Sequence, residues 1–185
     1  MTKWTSIAWR KENDWIDFYQ TPTWCIDKLL EHETFEGRIL EPCSWAWAIS
    51  KVLEWAWYDV LSCDIREDSE VYWRMGIDFL DIDIDFNARN VVTNPPYCNA
   101  KQFIEKSLQV AEGKVCMFLK LQFLESIDRY EFFKNTPLKK VLVFCKRPTL
   151  YPSNGPVPEN KGTIAYAWYI WEKGYEGKPE IDWIK

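Results

Sequence analysis

The stretch Thr93-Asn94-Pro95-Pro96-Tyr97 places an amide, two consecutive prolines and a phenol in five positions. Neither proline can donate to a strand ladder or sit inside a helix, so the backbone is held as a stiff extended turn. Such a turn leaves the Asn94 amide and the Pro95 carbonyl without ladder partners, and both can accept from an amino group. Tyr97 offers a flat ring on which a planar heterocycle can stack. The other residues with chemical capacity lead elsewhere. His32, the one histidine, sits among charges (Leu30-Glu31-His32-Glu33) and suits solvent. Asp81, Asp83 and Asp85 alternate with Ile82, Ile84 and Phe86, a spacing that puts the acids on one face of an extended, solvated edge. The six cysteines contain no CxxC pair and no second histidine joins His32, so no metal site is expected. Reduced thiols in apolar runs such as Val115-Cys116-Met117-Phe118 act as small hydrophobes.

The elements that must position the prolyl turn read as short strands alternating with helices. Strand patterns cover Arg38 to Glu41, Tyr58 to Cys63, Asn90 to Thr93, Lys114 to Lys120, Lys140 to Cys145 and, last, Thr163 to Trp171. Helical patterns cover Ala48 to Trp55, Ala100 to Ala111 and Glu125 to Lys134. The alternation implies an α/β fold, a doubly wound and mostly parallel Rossmann-like sheet with helices on both faces. The prolyl turn then falls at the carboxyl end of a strand, where such sheets bind ligands. One irregular stretch, residues 147–162, is long enough to carry function.

The 185 residues suit a single domain, 1–185, with a real core, and 47% apolar with 28% charged residues exclude a disordered or fibrous chain. No apolar run approaches the roughly 20 residues that cross a bilayer. With a charged N-terminus as well, neither a membrane anchor nor a secretory signal is expected, and the cytoplasm is the expected compartment. Residues 1–97 hold 9 basic and 18 acidic residues, whereas 98–185 hold 14 and 10, so the second half could face a polyanion.

The prolyl turn after a strand resembles motif IV of S-adenosylmethionine-dependent amino-group methyltransferases, above all the DNA adenine-N6 enzymes. Asp17-Phe18-Tyr19-Gln20-Thr21-Pro22 resembles their motif X. Ile39-Leu40-Glu41-Pro42-Cys43 resembles motif I, with Glu41 in the acidic position. Asp64 stands where an acid would hold the ribose hydroxyls, and Gly76-Ile77-Asp78-Phe79-Leu80 resembles the element facing the cofactor's adenine. Asn99 to Glu131 and Trp168 to Ile184 are similar to short enzymes carried by phages and prophages, whose compartment is the host cytoplasm. The resemblance implies S-adenosylmethionine as cofactor, bound by Phe18, Tyr19, Thr21, Pro22, Glu41, Pro42, Trp45, Trp47, Asp64, Asp78 and Phe79. It implies DNA as partner, catalysis by Asn94, Pro95, Pro96 and Tyr97 on a flipped adenine, and no metal. The only stretch left for target recognition is 146–162, with Lys146, Arg147, Tyr151, Asn154 and Lys161. The same motif also serves enzymes acting on a protein glutamine amide or an RNA base. A catalytically dead relative that only binds nucleic acid or a partner is the third alternative.

Composition separates this chain from the family pattern. It holds 12 tryptophans and 7 glycines, and nine of the tryptophans lie between Trp4 and Trp73. Motif I continues in the family into a glycine-containing turn, but here it runs Cys43-Ser44-Trp45-Ala46-Trp47. Trp57 likewise stands where a helix end ordinarily calls for glycine. Glycine belongs at such turns because a Cβ obstructs both the backbone conformation and the approach of a ligand. The expectation is that several N-terminal tryptophans are glycine codons, UGA foremost, read as tryptophan. Trp168, Trp171 and Trp183 are expected to be genuine packing aromatics.

Overall fold

The computed structural model describes residues 19–44, 47–67, 74–81, 83, 85–152 and 162–185. Its elements run β1 (Tyr19–Gln20), α1 (Thr23–His32), β2 (Ile39–Glu41), α2 (Ala48–Trp55), β3 (Val60–Ser62), β4 (Asn90–Thr93), α3 (Ala100–Val110) and β5 (Lys114–Lys120). They continue with α4 (Tyr130–Lys134), β6 (Leu138–Phe144), β7 (Tyr151–Pro152), β8 (Tyr166–Glu172) and β9 (Glu180–Ile184).

Seven strands form one sheet in the order β3-β2-β4-β5-β8-β6-β9, while β1 and β7 pair apart from it. Strands β3, β2, β4 and β5 are mutually parallel, as are β6 and β9. Only β8 runs antiparallel, inserted between β5 and β6. An isolated parallel bridge from Cys63 to Arg74 lies just beyond the end of β3.

Period-two alternation along β5 builds both cores. Val115, Met117 and Leu119 face α3 and Phe132, whereas Cys116 and Phe118 face α1 and α2. The helices present matching apolar stripes: Cys25, Ile26 and Leu29 on α1, Val52 and Leu53 on α2, Phe103 and Ile104 on α3. Burying helices on both faces is what makes the central strands apolar throughout.

Three expectations need correction. The apolar run after residue 162 is not the last strand: β8 begins at Tyr166, and β9 follows it on the sheet edge. β9 escapes the apolar pattern because four of its five residues are exposed. The span 125–134 is not one helix but a 3-10 turn over Ile127–Arg129 leading into α4. Ser126 interrupts it, its side chain accepting from Asp128 N in place of a helical bond. Asp81, Asp83 and Asp85 belong to no strand among the described residues. Asp85 Oδ1 instead accepts from Asn87 N at 2.8 Å, where Asn87 takes φ 46°.

Candidate active site

The parallel strands deliver Glu41, Asp64 and Asn94 to one edge of the sheet, beyond the carboxyl ends of β2, β3 and β4. Asn94 Nδ2 donates to Tyr19 O at 3.1 Å, so β1 holds the amide from 75 residues away. A carbonyl can only accept, so the nitrogen must face Tyr19 and Oδ1 remains the amide's acceptor. Pro95 is buried and Tyr97 half-buried, opening a 3-10 turn (Tyr97–Asn99) that leads into α3. Lys120 Nζ, at the end of β5, lies 4.6 Å from the Tyr97 ring centroid.

Glu41 closes β2 at this edge. It is 2% exposed and accepts from Ser50 N at 2.8 Å and from Ser50 Oγ, while Ser50 Oγ shares a 2.6 Å contact with Ser62 Oγ. Glu41 thereby caps the third residue of α2, a task that the Trp47 side chain does not perform at the N-cap. Burial pushes the carboxyl up to about 8, against the hydrogen bonds from Ser50 and with help from the charge of Asp64. Asp64 and Asp78 are buried too, accepting from Arg66 N at 2.9 Å and Leu80 N at 3.1 Å. Ile77 N donates to Asp64 O at 2.9 Å and ties the two loops together. Burial also raises the thiol of Cys43, between Asp64 and Glu41, well above its ordinary range.

Other expected residues are dispersed. Thr21 is buried, and Pro22 begins α1, its carbonyl accepting from Cys25 N at 2.9 Å. Pro42 is buried in the turn after β2. The Phe79 ring packs in the core against Phe86 and Phe103, with 1% of the residue exposed. Lys146 and Arg147 are exposed after β6, and Tyr151 lies in β7, which pairs with β1 through Tyr19 and Pro152. The candidate recognition stretch is thus tied to the strand that holds Asn94. Phe18, Trp45, Asn154 and Lys161 lie outside the described residues.

The tryptophans divide by backbone. Trp47 takes φ 59° and Trp57 φ 66°, the left-handed conformation that favours glycine. After Trp57, Tyr58 N bonds Leu53 O at 3.1 Å, and Trp57 N itself bonds Glu54 O at 2.9 Å. This is the Schellman pattern, with the residue that is usually glycine replaced by a 94% exposed indole. Trp24 differs: it sits in α1, meets Phe144 edge-on at 5.3 Å and is covered by Lys146. Trp168 and Trp171 are fully buried, and Trp183 is exposed on β9.

No protein-family model and no curated protein matches the chain by sequence. Solved structures match it by fold. A SAM-dependent methyltransferase from Thermotoga maritima aligns with a TM-score of 0.52 at 13% identity, covering 82% of this chain and 88% of that one. The 23S rRNA methyltransferase ErmE aligns at 0.57 with 14% identity, covering 85% and 70%. A Lactococcus lactis protein provisionally called a hemolysin aligns at 0.60 with 10% identity, covering 86% and 91%. At such identities the likeness is one of architecture: this is a Rossmann-like methyltransferase fold.

Such folds include SAM-dependent enzymes, and the edge is divided in its fit to that cofactor. The buried carboxyls Glu41, Asp64 and Asp78 suit a cationic nucleoside with ribose hydroxyls. Trp47, with a bulky side chain on a left-handed turn at the start of α2, is the position at odds with it.

Proposed function

We propose that the chain transfers a methyl group from S-adenosylmethionine to the exocyclic amine of adenine in DNA. The observation that carries this reading is the Asn94 amide, committed by its nitrogen to Tyr19 O at the tip of β4, with Tyr97 three residues on. S-adenosylmethionine supplies a methyl group already activated on a positively charged sulfur. The chain's own part is positioning. Asn94 Oδ1 and the Pro95 carbonyl accept the two amine hydrogens, aim the nitrogen lone pair and raise its electron density. Pro96 stiffens the turn, and Tyr97 stacks the base once it has left the duplex. Phe18, Tyr19, Thr21, Pro22, Glu41, Pro42, Asp64 and Asp78 surround the cofactor, and the 146–162 stretch meets DNA. The chain 1–185 acts as one methyltransferase domain, in the cytoplasm.

Within the same reading, residues 45, 47, 55 and 57 are glycines in the working protein. The left-handed φ at Trp47 and Trp57 supports this at two of the four. Gene codons of UGG at these positions would refute it.

The test gives labelled S-adenosylmethionine and duplex DNA, RNA or protein to the chain as written and to a Trp45→Gly, Trp47→Gly version. N6-methyladenine in digested DNA is the expected product, and Asn94→Ala removes it. Label in RNA or in a glutamine amide replaces the substrate. No label from the glycine version makes the protein a dead relative.

A further inference from the structure

Five aromatic rings form an unbroken chain beside the carboxyl edge of the sheet. Trp24 meets Phe144 at 5.3 Å, Phe144 lies 5.8 Å from Phe118, and Phe118 stacks on Tyr166 at 5.0 Å. Tyr166 is in turn 6.2 Å from Tyr97. A lysine lies over each end: Lys146 Nζ is 5.3 Å from the Trp24 centroid and Lys120 Nζ 4.6 Å from that of Tyr97. Among the described residues, neither ammonium has a carboxylate at ion-pair distance, whereas Lys114, Lys139 and Lys140 all do.

We infer that Lys120 and Lys146 are phosphate-gripping residues for a nucleic-acid strand, with Lys120 resting on the Tyr97 ring until the incoming base takes its place. The inference rests on the nucleic-acid reading of the same site. A cation on an aromatic face is held by the ring quadrupole alone, a contact weaker than a charge-assisted bond to phosphate. A base that stacks over Tyr97 needs a ring face, and its flanking phosphates arrive with it. The four-carbon stem of Lys120, rooted in the last residue of β5, lets the ammonium swing from ring to phosphate without moving the sheet. Lys146 does the same from the other end of the ring chain. Tyr166 and Phe118, buried between them, hold Tyr97 and Phe144 at a set separation.

The test is the salt dependence of binding to single- and double-stranded DNA and to RNA oligonucleotides, measured without cofactor so that residue 47 does not enter. Lys120→Gln and Lys146→Gln should each flatten the slope of log K against log salt by about one. Lys120→Arg should restore it, and Lys139→Gln, which loses the same charge at the opposite edge, should not change it. Circular dichroism checks that each variant is folded. Fluorescence of 2-aminopurine at the target base should rise on binding to the parent chain and rise less with Lys120→Gln. If the parent binds with a salt slope that Lys120→Gln leaves intact, or Lys139→Gln flattens it equally, this inference is overturned and the nucleic-acid reading stands. If the parent shows no salt-dependent affinity for any oligonucleotide, the nucleic-acid reading itself fails.

Discussion

At the amino-terminal edge of the sheet, Lys114 and Lys140 reach the same buried carboxylate, Glu33, at 2.5 and 2.6 Å, and Lys139 pairs with Glu172 at 2.7 Å. At the carboxyl edge, Lys120 and Lys146 lie on aromatic rings, and the buried Glu41 accepts from the neutral donors of Ser50. One edge neutralises its charges internally, and the other leaves two ammonium groups for something outside the chain. Glu33 states the difference in its titration. Burial alone would raise it, but the bonds from Lys114 and Lys140 outweigh burial and hold it below the ordinary carboxylate range. Glu41, more deeply buried and bonded only to neutral donors, is pushed up to about 8. A closed edge stabilises; an open edge holds ammonium charge that an anionic ligand can balance.

The largest effect should come from breaking the closed edge. Glu33→Ala strands two partly buried lysines and should cost about 3–5 kcal/mol in denaturant unfolding. Because the folded pKa of Glu33 is lowered, its stabilisation is present above the ordinary carboxylate range and is lost as pH falls through the lowered value. At the open edge, Asn94→Ala should reduce kcat by about 10²–10³-fold, the usual cost of one polar group aimed at the reacting centre, with a far smaller shift in Tm. That split between rate and stability is the sharpest check on the contrast.

Glu41 gives the opposite sign to Glu33. Its folded pKa is raised, so its contribution is present below about 4.5 and is lost as pH rises towards about 8. Tm of the parent should therefore fall between about pH 4.5 and 8, and Glu41→Gln should flatten that fall. Cofactor affinity, followed by calorimetry, should rise over the same interval in the parent because a cation favours the carboxylate. The smallest effect concerns backbone alone. Trp57→Gly relieves a left-handed φ on an exposed residue and should stabilise by about 1 kcal/mol in thermal melts. Trp47→Gly should add a similar amount and, unlike Trp57→Gly, strengthen cofactor binding.

Much of the scaffold was legible. Ala48–Trp55 and Lys114–Lys120 match their patterns residue for residue, because a helix buried on one face and a strand buried on both leave unmistakable periods. The direction of β8 was not legible, since a strand apolar on both faces looks the same whichever way it runs. β9 was missed because an exposed edge strand needs no apolar run. Within the site, Asn94 and Tyr97 stood out by their prolines. Lys120 carried no signal beyond closing an apolar strand, and Phe79 drew attention by position although its ring belongs to the core.

Local chemistry in the sequence determined the stiff turn at residues 93–97, the alternation that makes a layered sheet, and the demand for glycine at positions 47 and 57. Each follows from sterics or burial within a few residues. Only the tertiary structure decided that Tyr19 would hold the amide of Asn94 and that five rings would connect Trp24 to Tyr97. It alone also decided which lysines would find a carboxylate. Those contacts join residues tens of positions apart, and strand order, rather than spacing along the chain, brings them within reach.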